Sequence, residues 1–242
     1  MNGINAWRSV AMTAGAVLLI GGCTAADNPS APTTSAPPSA TTTMAPLDMA
    51  RTALMAAEEI PTQAEGMSVE TGDAYTAAGA GEVGAPWPQV ALCSTVVMPD
   101  EGPPTTAEPG AVAGAWTFGV ATDPDHPTGW TQIDQYAVVY QDEAAAKAAV
   151  QRARALNCEA AIRGWVTDKD TWTIGTGPVP SNVDGFSTNA AFDHGKGPEP
   201  TSSTVMRSGP VVHYMRAAGP FTDAYADQLR TAAAQSLMTA TH

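Results

Sequence analysis

A run of small and proline residues near the N-terminus restricts folding to the part of the chain that follows it. From Asn28 to Pro46, 17 of the 19 residues are Ser, Thr, Pro or Ala. Such a run has almost no apolar surface to bury and cannot offset the entropy lost on ordering. We expect a disordered or polyproline-like tether that, at about 3.1 Å per residue, reaches up to roughly 60 Å.

The residues before the tether have the layout of a secretory signal. Arg8 precedes the apolar segment Val10–Ile20, which is too short to span a bilayer. The segment ends at Ile20–Cys23, Ile-Gly-Gly-Cys, which resembles the lipobox of bacterial lipoproteins. In that motif the cysteine thiol takes a diacylglyceryl group and becomes the new N-terminus. The alternative is an ordinary secretory signal followed by a chance cysteine.

These features predict three segments. Residues 1–22 form a lipoprotein signal peptide, residues 23–46 the lipidated N-terminus and its linker, and residues 47–242 an extracytoplasmic domain. Two acyl chains on Cys23 are enough for stable anchoring, whereas one gives only marginal binding. We therefore expect the protein on the outer face of the cell membrane, with its covalent lipid as the membrane contact.

The charge of the chain excludes two classes of partner. With 24 acidic and 11 basic residues, the net charge is −13. Binding to nucleic acid requires a basic surface that releases counterions from phosphates, so nucleic acid is excluded as a partner. Electrostatic attraction to anionic lipid headgroups is excluded for the same reason.

Hydrophobic periodicity and turn residues predict the secondary structure of the domain. Two long segments, Gly66–Gln89 and Pro99–Gly114, are interpreted as loops, the first with the alternative of a weakly paired hairpin. The helices are predicted over Leu47–Ile60, over Glu143–Ala161 with Asp142 as N-cap, and over Asp223–Thr239 with Thr222 as N-cap. The strands are predicted over Val90–Met98, Ala115–Thr122, Gln132–Tyr140, Trp165–Ile174, Gly185–Phe192, Ser202–Arg207 and Val211–Ala217.

The order of these elements favours an α+β fold. Strands and helices do not alternate often enough for a parallel sheet, so we expect one largely antiparallel sheet packed against a few helices. Asp123–Gly129 contains two prolines, two aspartates and a glycine, and is predicted to be the turn of a hairpin between its neighbouring strands.

Two cysteines remain after lipidation of Cys23. In an oxidising compartment the default is a disulfide between Cys93 and Cys158, which closes about 65 residues and contributes roughly 4 kcal/mol in the loop-entropy model. Two reduced thiols or a reactive pair are the alternatives. The chain has no C-x-x-C motif, which argues against redox catalysis.

Several stretches together resemble a known family. They are Ala53–Pro61, Ala91–Cys93, Tyr136–Tyr140 leading into Asp142–Ala146, Cys158, and Val211–Ala217 followed by a terminal amphipathic helix. The set is similar to actinobacterial, including mycobacterial, sensor-domain lipoproteins and to the PknH-like extracellular sensor domain of a mycobacterial Ser/Thr kinase.

The resemblance implies an α+β domain with an antiparallel sheet, a cleft and a ligand-sensing role outside the membrane. This chain departs from the family in two respects. It can form one disulfide where the kinase-type domain has two, and it has Ala155 where the family often has a tryptophan one turn before its cysteine. No catalytic residues carry over.

The residues themselves do not form a recognisable catalytic or metal motif. No Gly-x-Ser-x-Gly elbow occurs, and the four histidines do not recur at metal-ligand spacing. We therefore expect no enzyme activity, no cofactor and no metal. A cleft is assigned to Trp116, Trp130 and His213. The tryptophans could equally belong to the core, and His213 could be an ordinary sheet residue facing solvent or a cleft wall.

The function expected from the sequence is non-catalytic binding of a small molecule or envelope component. The alternative is an interaction module that docks on a membrane kinase or transporter. A lipid carrier or hydrolase of the envelope is a third possibility.

Overall fold

The computed structural model describes residues 44–63, 68–71, 75–79, 82–83, 108–122, 130–155, 171–193 and 198–242. The signal segment, all three cysteines and nearly all of the linker lie outside the described residues. So do the strand predicted over Val90–Met98 and the predicted turn Asp123–Gly129.

One antiparallel sheet of eight strands organises the described residues, with three α-helices packed against it, which confirms the predicted fold class. The strand order is β1-β3-β4-β8-β7-β6-β5, and β2 also pairs with β3. The strands are β1 Ser68–Thr71, β2 Tyr75–Ala78, β3 Ala111–Thr122, β4 Trp130–Tyr140, β5 Thr171–Gly177, β6 Asp184–Asp193, β7 Pro198–Ser208 and β8 Val211–Ala218. The α-helices are α1 Pro46–Thr52, α2 Glu143–Arg154 and α3 Asp223–Thr239, and a 3₁₀ turn spans Ala57–Glu59.

The predicted hairpin of β3 and β4 is confirmed, with Thr122 opposite Trp130 and Ala111 opposite Tyr140. However, β3 starts at Ala111, inside the segment interpreted as a loop. The small residues there allow close packing: a Cβ added to Gly114 would lie 3.1 Å from Val83 Cγ1. A side chain at position 114 would crowd Val83, so glycine permits the close approach of Val83 to this part of β3.

The strands β1 and β2 do not form a hairpin with each other. Each pairs antiparallel with β3, β1 against Gly119–Thr122 and β2 against Ala113–Trp116. They therefore lie end to end along one edge of β3. Neither of the two interpretations of Gly66–Gln89, loop or hairpin, describes this arrangement, because the short strands depend on a distant partner.

The first helix is much shorter than predicted. It ends at Thr52, whereas the sequence predicted a helix to Ile60. Beyond it, the buried Met55 forms hydrogen bonds with a side chain of the sheet, so its backbone is not available for a helical turn. A tertiary contact has replaced the local helical pattern.

The other two helices begin as predicted. Asp142 Oδ1 accepts a hydrogen bond from Ala145 N at 2.8 Å, and Thr222 Oγ1 accepts one from Tyr225 N at 3.2 Å. The helix α3 has the predicted bounds, and α2 is described to Arg154. The predicted remainder of α2, to Ala161, runs beyond the described residues.

The four C-terminal strands form a meander that brings β8 beside β4. All four were predicted, although β7 starts four residues earlier than expected and β5 extends three residues further. Residues 165–170 of the strand predicted over Trp165–Ile174 lie outside the described residues.

The sheet has two covered faces. The first, here called the α1/α3 face, carries Ile133, Ala137, Met215 and Ala217 against α1 and α3. The second, here called the α2 face, carries side chains that pack against Ala146, Ala149 and Val150 of α2. These are Tyr136, Val138, Tyr140, Val205, Val212 and Tyr214.

Candidate functional site

The strand register arranges the α2 face in rows that cross the sheet. One row is mainly aromatic and lies under α2; it contains Trp116, Tyr136, Tyr214, Val205 and Phe186. The adjacent row is mainly polar and contains Phe118, Asp134, Arg216, Ser203 and Thr188. The sheet therefore brings polar residues from four strands, and Phe118 from a fifth, next to an aromatic row.

An ion pair occupies the centre of the polar row. Arg216 Nη2 donates to Asp134 Oδ2, and both side chains are almost completely buried, with 3% and 5% of their surface exposed. Gln132 Nε2 donates to the same carboxylate, 2.9 Å from Oδ1 and 3.1 Å from Oδ2. The carboxylate is thus held by an amide on its own strand and a guanidinium on the neighbouring strand.

Hydroxyl groups border this ion pair. Ser203 is opposite Arg216, and Thr201 lies two residues further along the same strand. Both residues are buried, and Thr201 Oγ1 has no hydrogen-bond partner among the described residues. A buried hydroxyl without a partner costs free energy, which makes it a natural contact for a bound polar group.

Two aromatic side chains form the β3 edge of the site. Trp116 and Phe118 are half-buried, and their ring centroids lie 5.7 Å apart with the planes tilted by 38°. Phe118 is opposite Asp134 in the register. A partly accessible aromatic surface therefore adjoins the buried charges.

A second polar cluster closes the α2 end of this face. Glu108 Oε1 accepts hydrogen bonds from Arg152 and from Tyr140 OH, the latter at 3.1 Å. The hydroxyl groups of Tyr140 and Tyr214 are 3.2 Å apart. Burial raises the pKa of both phenols above the usual value, so they remain neutral hydrogen-bonding groups. This cluster fixes α2 on the sheet.

The helix α2 also extends over the far side of the aromatic row. Arg154 lies over the ring of Phe186, with Cζ 5.4 Å from the ring centroid, and donates to Gly185 O at 3.0 Å. These contacts place the end of the helix above β6.

The three residues assigned to a cleft from the sequence are not brought together. Trp116 belongs to the α2 face, whereas His213 is fully buried on the α1/α3 face. The backbone of Trp130 starts β4 opposite Thr122, and its side chain is outside the described part of the structure. No single cleft can include both Trp116 and His213, because the sheet separates them.

His213 is a buried residue of the core and not part of a cleft. Its Nε2 lies 3.4 Å from Gln135 Oε1, and this oxygen already accepts from Met55 N. Because the oxygen is an acceptor, Nε2 carries the proton, and Nδ1 is the unprotonated nitrogen. Nδ1 has no partner among the described residues, and burial lowers the pKa of His213 to about 4. The ring is a neutral part of the core at physiological pH.

The remaining expected sites lie beyond what the structure describes. Cys23, Cys93 and Cys158 fall in undescribed segments. Within the described ranges, no three or more His, Cys, Asp or Glu side chains are grouped as metal ligands. None of the described helices has the length and apolarity needed to cross a membrane.

The residues of the polar row were missed by sequence reasoning, although a signal was present. Asp134 is the one Asp, Glu, Lys or Arg residue in the strand predicted over Gln132–Tyr140, and Arg216 is the one in the strand predicted over Val211–Ala217. A charged residue in a buried strand requires a partner of opposite charge. Pairing these two strands in the antiparallel sheet would have placed the charges opposite each other.

Comparison with known proteins gives matches among solved structures. No protein-family model matches the chain, and no curated protein matches it. The crystal structure of the extracellular domain of PknH from Mycobacterium tuberculosis is similar, with a TM-score of 0.48 and 15% sequence identity. The match covers 81% of this chain and 96% of that chain. The likeness concerns the fold alone, and the identity is too low to transfer a role to any residue.

Proposed function

We propose that this protein is a lipid-anchored domain on the outer face of the cell membrane that binds a small polar molecule or envelope component without transforming it. The observation that carries this proposal is the buried ion pair of Asp134 and Arg216, beside half-buried aromatic rings. The proposed site is the polar row of the α2 face together with Thr201.

A buried ion pair adds little net stability to a fold. Its presence here is therefore better explained by a role in binding. Desolvation of two charges often cancels their attraction, and apolar residues of similar volume are often equally stable. A carboxylate fixed by Gln132, a guanidinium, and the hydroxyl of Thr201, which has no partner within the described part of the chain, together offer donors and acceptors in defined positions. Groups of this kind next to apolar surface are typical of small-molecule sites.

The absence of catalysis is part of the proposal. The carboxylate of Asp134 is held by two donors, and the described polar row has no histidine or cysteine beside it. With its oxygens held by Gln132 and Arg216, the carboxylate is positioned to accept hydrogen bonds from a ligand rather than to move during a reaction.

The expected location favours an envelope ligand. The signal segment and Ile20–Cys23 predict export and lipidation, and a linker of the expected tether type would let the domain face the envelope. A small ligand of that compartment would then meet the domain close to the membrane.

The experiment is native mass spectrometry of the protein purified from its own envelope. We expect an additional mass on the wild-type protein and its loss in Phe118→Ala. The matched control is Phe221→Ala, which removes a phenyl group at a half-buried position packed on the α1/α3 face. Equal retention in both variants, or no additional mass on any form under conditions that keep the fold, would refute the proposal.

A further inference from the structure

An open groove runs along the outer side of α3. It has a volume of about 470 Å³ and separates α3 from the end of the 3₁₀ turn and the residues that follow it. Glu59 and Pro61 form one wall, and side chains of α3 form the other. The wall formed by Glu59 and Pro61 is held against α3, because Tyr225 OH of α3 donates to Pro61 O at 2.8 Å. The groove lies on the α1/α3 side of the sheet and is distinct from the polar row on the α2 face.

The helix wall presents a regular stripe. Gln228, Ala232 and Gln235 line the groove at positions i, i+4 and i+7, and both glutamine side chains are exposed. Seven residues of α-helix span about 10.5 Å, which matches about three residues of extended chain at about 3.3 Å each. Amide side chains can both donate to and accept from a peptide backbone. The dimensions and chemistry of this wall suit an extended polypeptide.

The charged residues that line the groove are both acidic, Glu59 and Asp227. The described hydrogen bonds of these carboxylates use Glu59 Oε2 and Asp227 Oδ1. Arg230, which pairs with Asp227, is 2% exposed and directs Nη1 toward Ser202 on the sheet, at 2.7 Å. Arg230 offsets part of the charge of Asp227, but its side chain is 2% exposed against 54% for Asp227, so the charged groups at the groove surface are the carboxylates.

The charge of the whole chain reinforces this local field. With 24 acidic and 11 basic residues, the protein attracts basic partners and repels acidic ones. We propose that the groove between α3 and Glu59–Pro61 docks an extended, basic polypeptide segment of a partner protein. Carboxylates contact the basic side chains, and the glutamine amides contact the backbone.

The test is fluorescence anisotropy with two labelled probe peptides, Ala-Lys-Ala-Lys-Ala-Lys and Ala-Glu-Ala-Glu-Ala-Glu, and the full chain solubilised in a non-ionic detergent. We expect the lysine peptide to bind and the glutamate peptide not to bind. Added salt should weaken the binding, because the charges are exposed. Equal binding of both peptides, or no binding of the lysine peptide at millimolar concentration and low salt, would overturn the proposal.

A charge variant distinguishes the groove from the general acidity of the chain. Gln228→Lys with Gln235→Lys places two positive charges in the groove at exposed positions. This double variant should weaken the binding of the lysine peptide at least tenfold. The control is Gln141→Lys with Gln151→Lys, which makes the same net charge change at exposed positions beside and within α2. The affinity of this control variant for the lysine peptide should be within about twofold of the wild-type affinity. An equal loss in both double variants would show attraction to net charge alone and would overturn the proposal.

Discussion

The side-chain amide of Gln135 holds the backbone of Met55 through two hydrogen bonds. Met55 N donates to Gln135 Oε1 at 2.8 Å, and Gln135 Nε2 donates to Met55 O at 3.2 Å. The residues are 80 positions apart in the sequence. The amide imitates the paired backbone of a neighbouring strand, and so fixes the segment after α1 to the centre of the sheet.

Replacing Gln135 by leucine should destabilise the fold strongly. The variant leaves Met55 N and O buried without partners, and each such group costs roughly 1–3 kcal/mol. We expect urea denaturation to show a lower midpoint with an unchanged slope. The control is Gln151→Leu at an exposed position of α2, which should change the free energy of unfolding by less than about 0.5 kcal/mol. Similar midpoints for the two variants would contradict the role of the amide.

Acid should destabilise the protein through His213. Its pKa is lowered from 6.5 to about 4 in the folded protein because of burial, so the unfolded chain binds a proton more readily. Stability from this group is fully present above pH 6.5 and is lost as the pH falls toward 4. The loss approaches roughly 3 kcal/mol, at about 1.4 kcal/mol for each unit of pKa difference.

The carboxylates of the chain also titrate in acid, so the effect of His213 is measured as a difference. We expect the wild-type free energy of unfolding to fall between pH 6.5 and 4 more steeply than that of His213→Gln. The control is His242→Gln at the exposed C-terminus, which should follow the wild-type curve. Parallel curves for wild type and His213→Gln would disprove the assignment.

Local sequence signals predicted an element correctly where the preference of its own residues matches its tertiary packing. The caps Asp142 and Thr222 were visible because they satisfy helix ends within three residues. The helix predicted to Ile60 failed because Gln135 captures Met55 from 80 residues away. The pairing of β1 and β2 with β3 is likewise non-local, so neither could be read from its own residues.

The candidate site depended on the same non-local information. Trp116 was identified from its type, and it lies beside the proposed site. His213 was grouped with it, although alternation along β8 turns His213 to the opposite face from Arg216. Which face carries the site follows from strand pairing, and a single strand does not contain that information.

Lipidation should depend on Cys23. The variant Cys23→Ala cannot accept the diacylglyceryl group, so it should lose metabolic lipid labelling and leave the membrane fraction. The control is Cys93→Ser, which should retain the lipid label, because the lipobox-like Ile20–Cys23 predicts lipidation of Cys23 alone. Unchanged labelling of Cys23→Ala would end the lipoprotein hypothesis.

The proposed disulfide between Cys93 and Cys158 can be tested by counting thiols. The mature protein, unfolded without reductant, should contain no reactive thiol, and reduction should release two. In the loop-entropy model, a loop of about 65 residues contributes roughly 4 kcal/mol. Cys93→Ser and Cys158→Ser should therefore lower stability equally, and the double variant should match either single variant. Two thiols in the unreduced protein would exclude the disulfide.

The ion pair of Asp134 and Arg216 should respond differently to single and double substitution. Asp134→Leu or Arg216→Met alone leaves one buried charge without its ion-pair partner, at a cost of roughly 3–5 kcal/mol. The double variant removes both charges and should recover most of this loss, because an apolar pair of similar volume packs in the same space. If the pair belongs to a binding site, the double variant should regain stability yet lose the retained mass in native mass spectrometry. A stable double variant that retains the mass would assign the ion pair to folding and remove it from the site.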